Sequence, residues 1–78
     1  MDDRERYSVV CANLTSALLQ TEWRRIANRV RSEGMLVLAG ILRPEFALVQ
    51  RTYETAGMKL TAAKTDGEWR SGAFVFVR

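Results

Sequence analysis

Histidine is absent from this sequence, and cysteine and proline occur once each. Without histidine the commonest general base and the commonest zinc ligand are both missing. A single thiol cannot close an intramolecular disulfide, which fits a reducing cytoplasm. The two shortages together argue against a metal site and against Cys–His or Ser–His nucleophilic chemistry. Long apolar runs are wanting too. The longest, Met35 to Leu42, falls far short of the roughly 20 residues a membrane helix needs. The opening "MDDRERY" is charged where a secretory signal would turn apolar.

What is present makes one small domain. A chain of 78 residues buries only about 60% of its unfolded surface, so its stability is marginal without outside support. At 47% hydrophobic residues it is too apolar to be disordered. The net charge of +3 is carried mainly by arginine. That suits an acidic partner or RNA-rich surroundings but establishes neither, and a solubilising surface is the better reading. No repeat, low-complexity tract or linker interrupts the pattern.

Read in order, strands alternate with helices. "YSVVCA", Tyr7 to Ala12, is apolar at consecutive positions, the mark of a strand buried on both faces. A helix follows from Thr15 or Ser16, either of which suits an N-cap. Its buried stripe is Leu19, Trp23, Ile26 and Val30, with Arg24, Arg25 and Arg29 mostly away from it. Thr21 and Glu22 are placed to re-cap it midway and kink it, and Gly34 is expected to end it. Met35 to Gly40 reads as a second continuous apolar strand. Pro44 then fits a first helical turn. Phe46, Val49, Tyr53 and Ala56 mark that helix's inner face, and Gly57 its end. Met58 to Lys64 alternates, with Met58, Leu60 and Ala62 on one face and Lys59, Thr61 and Ala63 on the other. "TDGE", Thr65 to Glu68, is a hairpin signal, and Trp69 to Val77 is a last strand apolar on both sides.

The fold class is α/β, in the order strand, helix, strand, helix, strand, strand. Right-handed crossovers running the same way place both helices on one face of the sheet. The last strand, apolar on both sides, takes an interior place antiparallel between the second and third strands. This leaves the first strand's outer edge unpaired and an apolar face uncovered. A lone monomer of this kind should associate.

Strand order 1-2-4-3 with an antiparallel insertion resembles the C-terminal half of a class I, Rossmann-like methyltransferase that uses S-adenosylmethionine. "YSVVCANLTSALL", "EGMLVLAGIL", "YETAGMKL" and "GEWRSGAFVFVR" together resemble the end of the ribosomal protein L-eleven methyltransferase family, from about Tyr7 to Arg78. That family's pattern has a strand ending in Ala-Asn-Ile/Leu, then a strand ending in Ser-Gly-Ile-Leu. An Ala-Gly-Phe helix end and a closing Gly-Glu-Trp hairpin follow. Here Ser8 stands for the usual Asp, Thr15 for an aliphatic residue, and "RSG" interrupts the run after Trp69. No Gly-x-Gly turn occurs, so the half that holds the cofactor is expected to be absent.

The resemblance implies a SAM-dependent protein amino-group or lysine methyltransferase acting on a ribosomal protein, with this chain a fragment inactive by itself. It implies Asn13 as the residue that positions the substrate amine, with Ala12 and Leu14 beside the cofactor's methyl group. S-adenosylmethionine belongs to the full-length family, and no cofactor is expected on this chain alone. Read without the family, Asn13 ends a strand and caps a helix, as Asn often does. Trp69 is expected to pack on a helix, Trp23 to be core or to cover a sheet edge, and Cys11 to be a small unreactive hydrophobe. Glu68 reads as a solvated hairpin carboxylate. Arg24, Arg25, Arg29 and Arg31 share a helix without interleaved exposed aromatics, so nucleic-acid binding is not favoured. The expected partners are a second copy of the chain, forming a homodimer, or the missing N-terminal half. The alternative function is a non-catalytic, self-associating module that uses the bare first-strand edge and apolar face.

Overall fold

The computed structural model describes residues 5–77; most of the charged opening, residues 1–4, and the terminal residue 78 of the family-like stretch lie outside the described residues. The elements run β1 (Tyr7–Ala12), α1 (Ser16–Thr21), α2 (Trp23–Ala27), β2 (Val30–Leu42), α3 (Arg43–Thr55), β3 (Met58–Asp66) and β4 (Trp69–Phe76). They form one four-stranded sheet in the order β1-β2-β4-β3. β1 is parallel to β2, and β4 is antiparallel to both β2 and β3. The expected topology is thus the observed one.

Cross-strand rows show where the core sits. Val10, Leu36, Phe74 and Leu60 line up across the four strands and lie under the helices, with Leu36 and Phe74 fully buried. Leu19 of α1 and Phe46, Val49 and Tyr53 of α3 close over them, joined by Val30, Leu38, Ile41 and Met58. The Tyr53 ring is tilted against Phe74 at 5.9 Å. Its hydroxyl donates to the Leu19 carbonyl oxygen at 2.9 Å, next to the break between α1 and α2. Burial pushes that hydroxyl's pKa up to about 12. The neighbouring row, Val9, Met35, Val75 and Lys59, faces the other way, and no helix among the described residues covers it. Val9 is 58% exposed there and Met35 39%. Cys11, Val37 and Ala73 continue this open apolar face.

The sheet's two edges differ. β3 carries Lys59, Lys64 and a bulge between Leu60 and Ala62, the usual guards against edge-to-edge pairing. β1 has no charged residue from Tyr7 to Ala12.

Several expectations are corrected. The first helix divides at Glu22, as the kink predicted, but ends at Ala27 rather than near Gly34. Val30 therefore belongs to β2, where it is fully buried opposite Tyr7. The apolar spacing carried past the helix because the next strand happens to present Val30 to the same core. Gly34 is a strand residue at a close approach, since a Cβ there would lie 2.8 Å from the Ser8 carbonyl oxygen. Arg29 and Arg31 accordingly do not share a helix with Arg24 and Arg25. Arg24 stacks on Trp23 at 5.2 Å, and Arg25 bridges Glu22 at 3.4 Å. Ala62 pairs with Ala73 on the open face, not with the Met58 and Leu60 side, because the β3 bulge shifts the alternation by one. In the hairpin, Asp66 is still strand and only Gly67 has positive φ, at 60°.

Candidate functional site

β1 and β2 run parallel, so their carboxyl ends lie side by side. In open α/β sheets this is where ligands bind. β1 ends at Ala12, which is half-buried and packed on the core, while Asn13 and Leu14 emerge exposed in the loop to α1. Thr15 is the N-cap of α1: its hydroxyl accepts from the Leu18 N–H at 3.2 Å. Asn13 is therefore not the cap. Its carboxamide makes no hydrogen bond to another residue among those described.

β2 runs on past Leu38, the partner of Ala12, to Leu42, with a register shift against β4 between Leu38 and Ile41 and Gly40 in left-handed backbone at φ 73°. The Asn13 carboxamide lies across the bare Gly40 Cα, its oxygen nearest. Trp69, the first residue of β4, pairs with Leu42. It is 51% exposed and lines an open cleft with Asn13, Leu14, Thr15 and Gly40. The expected packing of Trp69 on a helix is not what forms, because Arg70 takes the helix side, over the Phe46 ring at 4.9 Å, and strand alternation turns Trp69 to the other side, where it lines the cleft. On the far side of the loop, the Ser16 hydroxyl donates to a Glu45 carboxylate oxygen at 2.6 Å, tying α1 to the first turn of α3. A second hollow, along the outer side of β1, is lined by Val10 to Leu14 with Glu22, Arg25, Ile26 and Arg29.

The three residues singled out from the sequence, Ala12, Asn13 and Leu14, thus stand together at a strand end, and Trp69 and Gly40 join them. In the sequence Gly40 reads only as the last residue of the second apolar strand. Its positive φ and its contact with Asn13 exist only in three dimensions. Cys11 is exposed on the open face, and Glu68 is an exposed carboxylate in the hairpin loop. Trp23 is partly buried against the core.

Chemically, this arrangement offers an uncharged oxygen acceptor beside an aromatic face at the end of a buried strand. It suits holding a neutral nitrogen donor and has no strong acid or base poised for proton transfer.

The comparisons with known proteins agree with one another. The chain is 34% identical over 64 residues to a ribosomal protein L11 methyltransferase of Geobacter sulfurreducens, covering 82% of this chain and 21% of that protein. It is 29% identical over 66 residues to a ribosomal protein L11 methyltransferase of Streptococcus pneumoniae, covering 85% of this chain and 21% of that one. The chain therefore spans about a fifth of the length of the curated relatives it matches. Among solved structures, ribosomal protein L11 methylase from Lactobacillus delbrueckii subsp. bulgaricus superposes with a TM-score of 0.88 at 12% identity, over 95% of this chain and 38% of that one. The structure of M1.HpyAVI superposes at 0.73 with 14% identity, over 94% and 45%. These superpositions show the Rossmann-like methyltransferase fold. The model of the ribosomal protein L11 methyltransferase (PrmA) family matches residues 1–75. With the strand order and the motifs falling in the same sequence along the chain, the conclusion is that this chain belongs to that family.

Proposed function

We propose that this chain is the amine-positioning part of a SAM-dependent protein methyltransferase whose substrate is an amino group, a lysine or α-amine, on a ribosomal protein. The carrying observation is Asn13: exposed, without a hydrogen-bond partner among the described residues, and set beside Trp69 at the carboxyl end of β1. Methyl transfer to nitrogen needs a neutral lone pair aimed in line at an already activated methyl group. A carboxylate beside the amine would hold it as the ammonium ion. The carboxamide oxygen of Asn13 accepts an amine N–H without that penalty, and the lone pair is left free to point along the cleft. The Trp69 face packs against the methylene stem of a lysine and keeps water off one side.

The described residues do not fit a whole S-adenosylmethionine. β1 and β2 end in "ANLT" and "GILR", with no glycine-rich turn to admit a nucleotide. Of the nearby carboxylates, Glu22 bridges Arg25, Glu45 is bonded to Ser16 and Glu68 sits in the hairpin. Ala12 and Leu14 would border the methyl end alone. On this reading the chain by itself is inactive and works as the complement of an N-terminal half, in the cytoplasm.

The test is an NMR titration with trifluoroethylamine, whose electron-poor nitrogen is unprotonated at neutral pH. Shifts of the Asn13 side-chain amide and the Trp69 indole that saturate together are expected. Movement of neither would overturn the proposal.

A second reading is favoured by a separate observation, the contrast between the guarded β3 edge and the uncharged β1 edge beside the open apolar face. On it, the chain is a non-catalytic module that self-associates through β1 into a homodimer with a continuous sheet. A stable monomer by sedimentation at high micromolar concentration would count against this reading.

A further inference from the structure

The loop that bears Asn13 is anchored at Thr15 and Ser16, but neither anchor sets the direction of the Asn13 side chain. What lies against that side chain is Gly40. Its φ of 73° explains why the residue is glycine as far as the backbone goes. Its surroundings add an observation the backbone does not: the Asn13 carboxamide lies in the space a side chain would fill. A Cβ built on Gly40 would collide with the Asn13 Oδ1 atom, and would lie 3.4 Å from Cγ and 3.9 Å from Nδ2. The other two glycines with positive φ, Gly57 and Gly67, have nothing within 4 Å of the same position. At those two, backbone conformation alone accounts for the residue. At Gly40 the backbone asks for glycine as well, and the Asn13 carboxamide also occupies the space a Cβ would take.

We infer that Gly40 is a positioning residue: its missing side chain gives the Asn13 carboxamide a seat across the end of β2 and fixes which way its oxygen faces in the cleft. The inference deepens the amine-positioning reading and rests on it for its functional meaning. A free Asn side chain at a strand end samples several χ1 rotamers. Seated on Gly40, it keeps one, so an incoming amine meets a pre-aimed acceptor and the ordering cost at the moment of binding falls. Gly40 lies two residues past Leu38, the β2 partner of Ala12, and falls within the register shift of β2 against β4 between Leu38 and Ile41.

The experiment combines NMR measurement of the Asn13 χ1 couplings with a double-mutant cycle in urea, using Gly40→Ala, Asn13→Ala and the double variant of the 78-residue chain. In the wild-type chain the couplings should report one rotamer; averaged couplings would overturn the inference. Gly40→Ala should shift or average that rotamer in the folded population, which backbone strain by itself would not do. Strain at a left-handed position lowers the folding equilibrium constant about tenfold, and this loss should appear alone in the Asn13→Ala background. With Asn13 present the loss should be larger by about fivefold or more, the non-additivity expected of residues in contact. If Gly40→Ala does not fold, the double variant should recover folding. Failure of both to fold, or losses that simply add with the Asn13 couplings unchanged, would show that Gly40 serves the backbone only. The amine titration is read on the wild-type chain, so the Asn13–Gly40 seat and the amine-positioning role can fail separately.

Discussion

Removing the Tyr53 hydroxyl by Tyr53→Phe tests how the helical layer is fastened. The hydroxyl donates to the Leu19 carbonyl at 2.9 Å, in the fully buried core and 34 residues away in sequence. Phenylalanine keeps the ring and its tilted contact with Phe74, so little apolar area is lost. What remains is a carbonyl at a helix break with its partner gone. That costs about 1–2 kcal/mol, which for a chain of this size lowers the urea midpoint by about 1–2 M. The same group gives a second readout. Burial raises its pKa from 10.0 to about 12, so the folded chain holds this proton more tightly than the unfolded one. The stabilisation is complete below pH 10 and is lost as the pH rises towards 12, a total of about 2–3 kcal/mol. Urea unfolding at several pH values for wild type and Tyr53→Phe isolates this term, since every other group titrates in both. Equal midpoints at pH 8 would refute the bond to Leu19. Parallel losses between pH 10 and 12 would refute the buried hydroxyl.

Other outcomes follow from the same structure. Isothermal titration of S-adenosylmethionine into the chain should give no heat of binding below millimolar concentration, and micromolar binding would contradict the reading of an incomplete cofactor site. Gly57→Ala, with positive φ and open space around it, should cost about 1 kcal/mol of stability by denaturation. Gly34→Ala should cost more, because the added carbon meets the Ser8 backbone. Leu36→Ala in the fully buried row should cost about 2–5 kcal/mol. Val9→Lys on the open face should change stability by no more than about 0.5 kcal/mol while reducing association in sedimentation. The exposed Cys11 thiol should react fully with a thiol reagent before unfolding.

The topology was legible because strand patterns here carry two messages at once. β2 and β4 are apolar at consecutive positions, which placed them inside the sheet, and β3 alternates with lysines, which placed it at an edge. The same doubly apolar pattern in β1, with only two crossovers' worth of helix to cover it, foretold the bare face at Val9 and Met35. Pro44 and Gly57 punctuate α3 by local chemistry, so its limits could be read directly. The end of the first helical segment could not. Val30 continues the helical spacing, and what stops α2 is the tertiary demand that β2 begin early enough to meet Tyr7. The β3 bulge at Thr61 was hidden for a like reason: a one-residue slip leaves no mark in composition. At the site, Asn13 was visible through its abrupt place after an apolar strand. Its neighbours Gly40 and Trp69 come from 27 and 56 positions further along, and only folding brings them to it.

The role proposed for Asn13 is to receive a neutral amine on an uncharged oxygen, and replacing that oxygen's chemistry tests it most directly. Binding of trifluoroethylamine and of butylammonium is measured by NMR at neutral pH on the wild-type chain and on Asn13→Asp. Wild type should prefer the neutral amine, and the aspartate variant should prefer the cation. An unchanged order of preference in the two chains would contradict the claim.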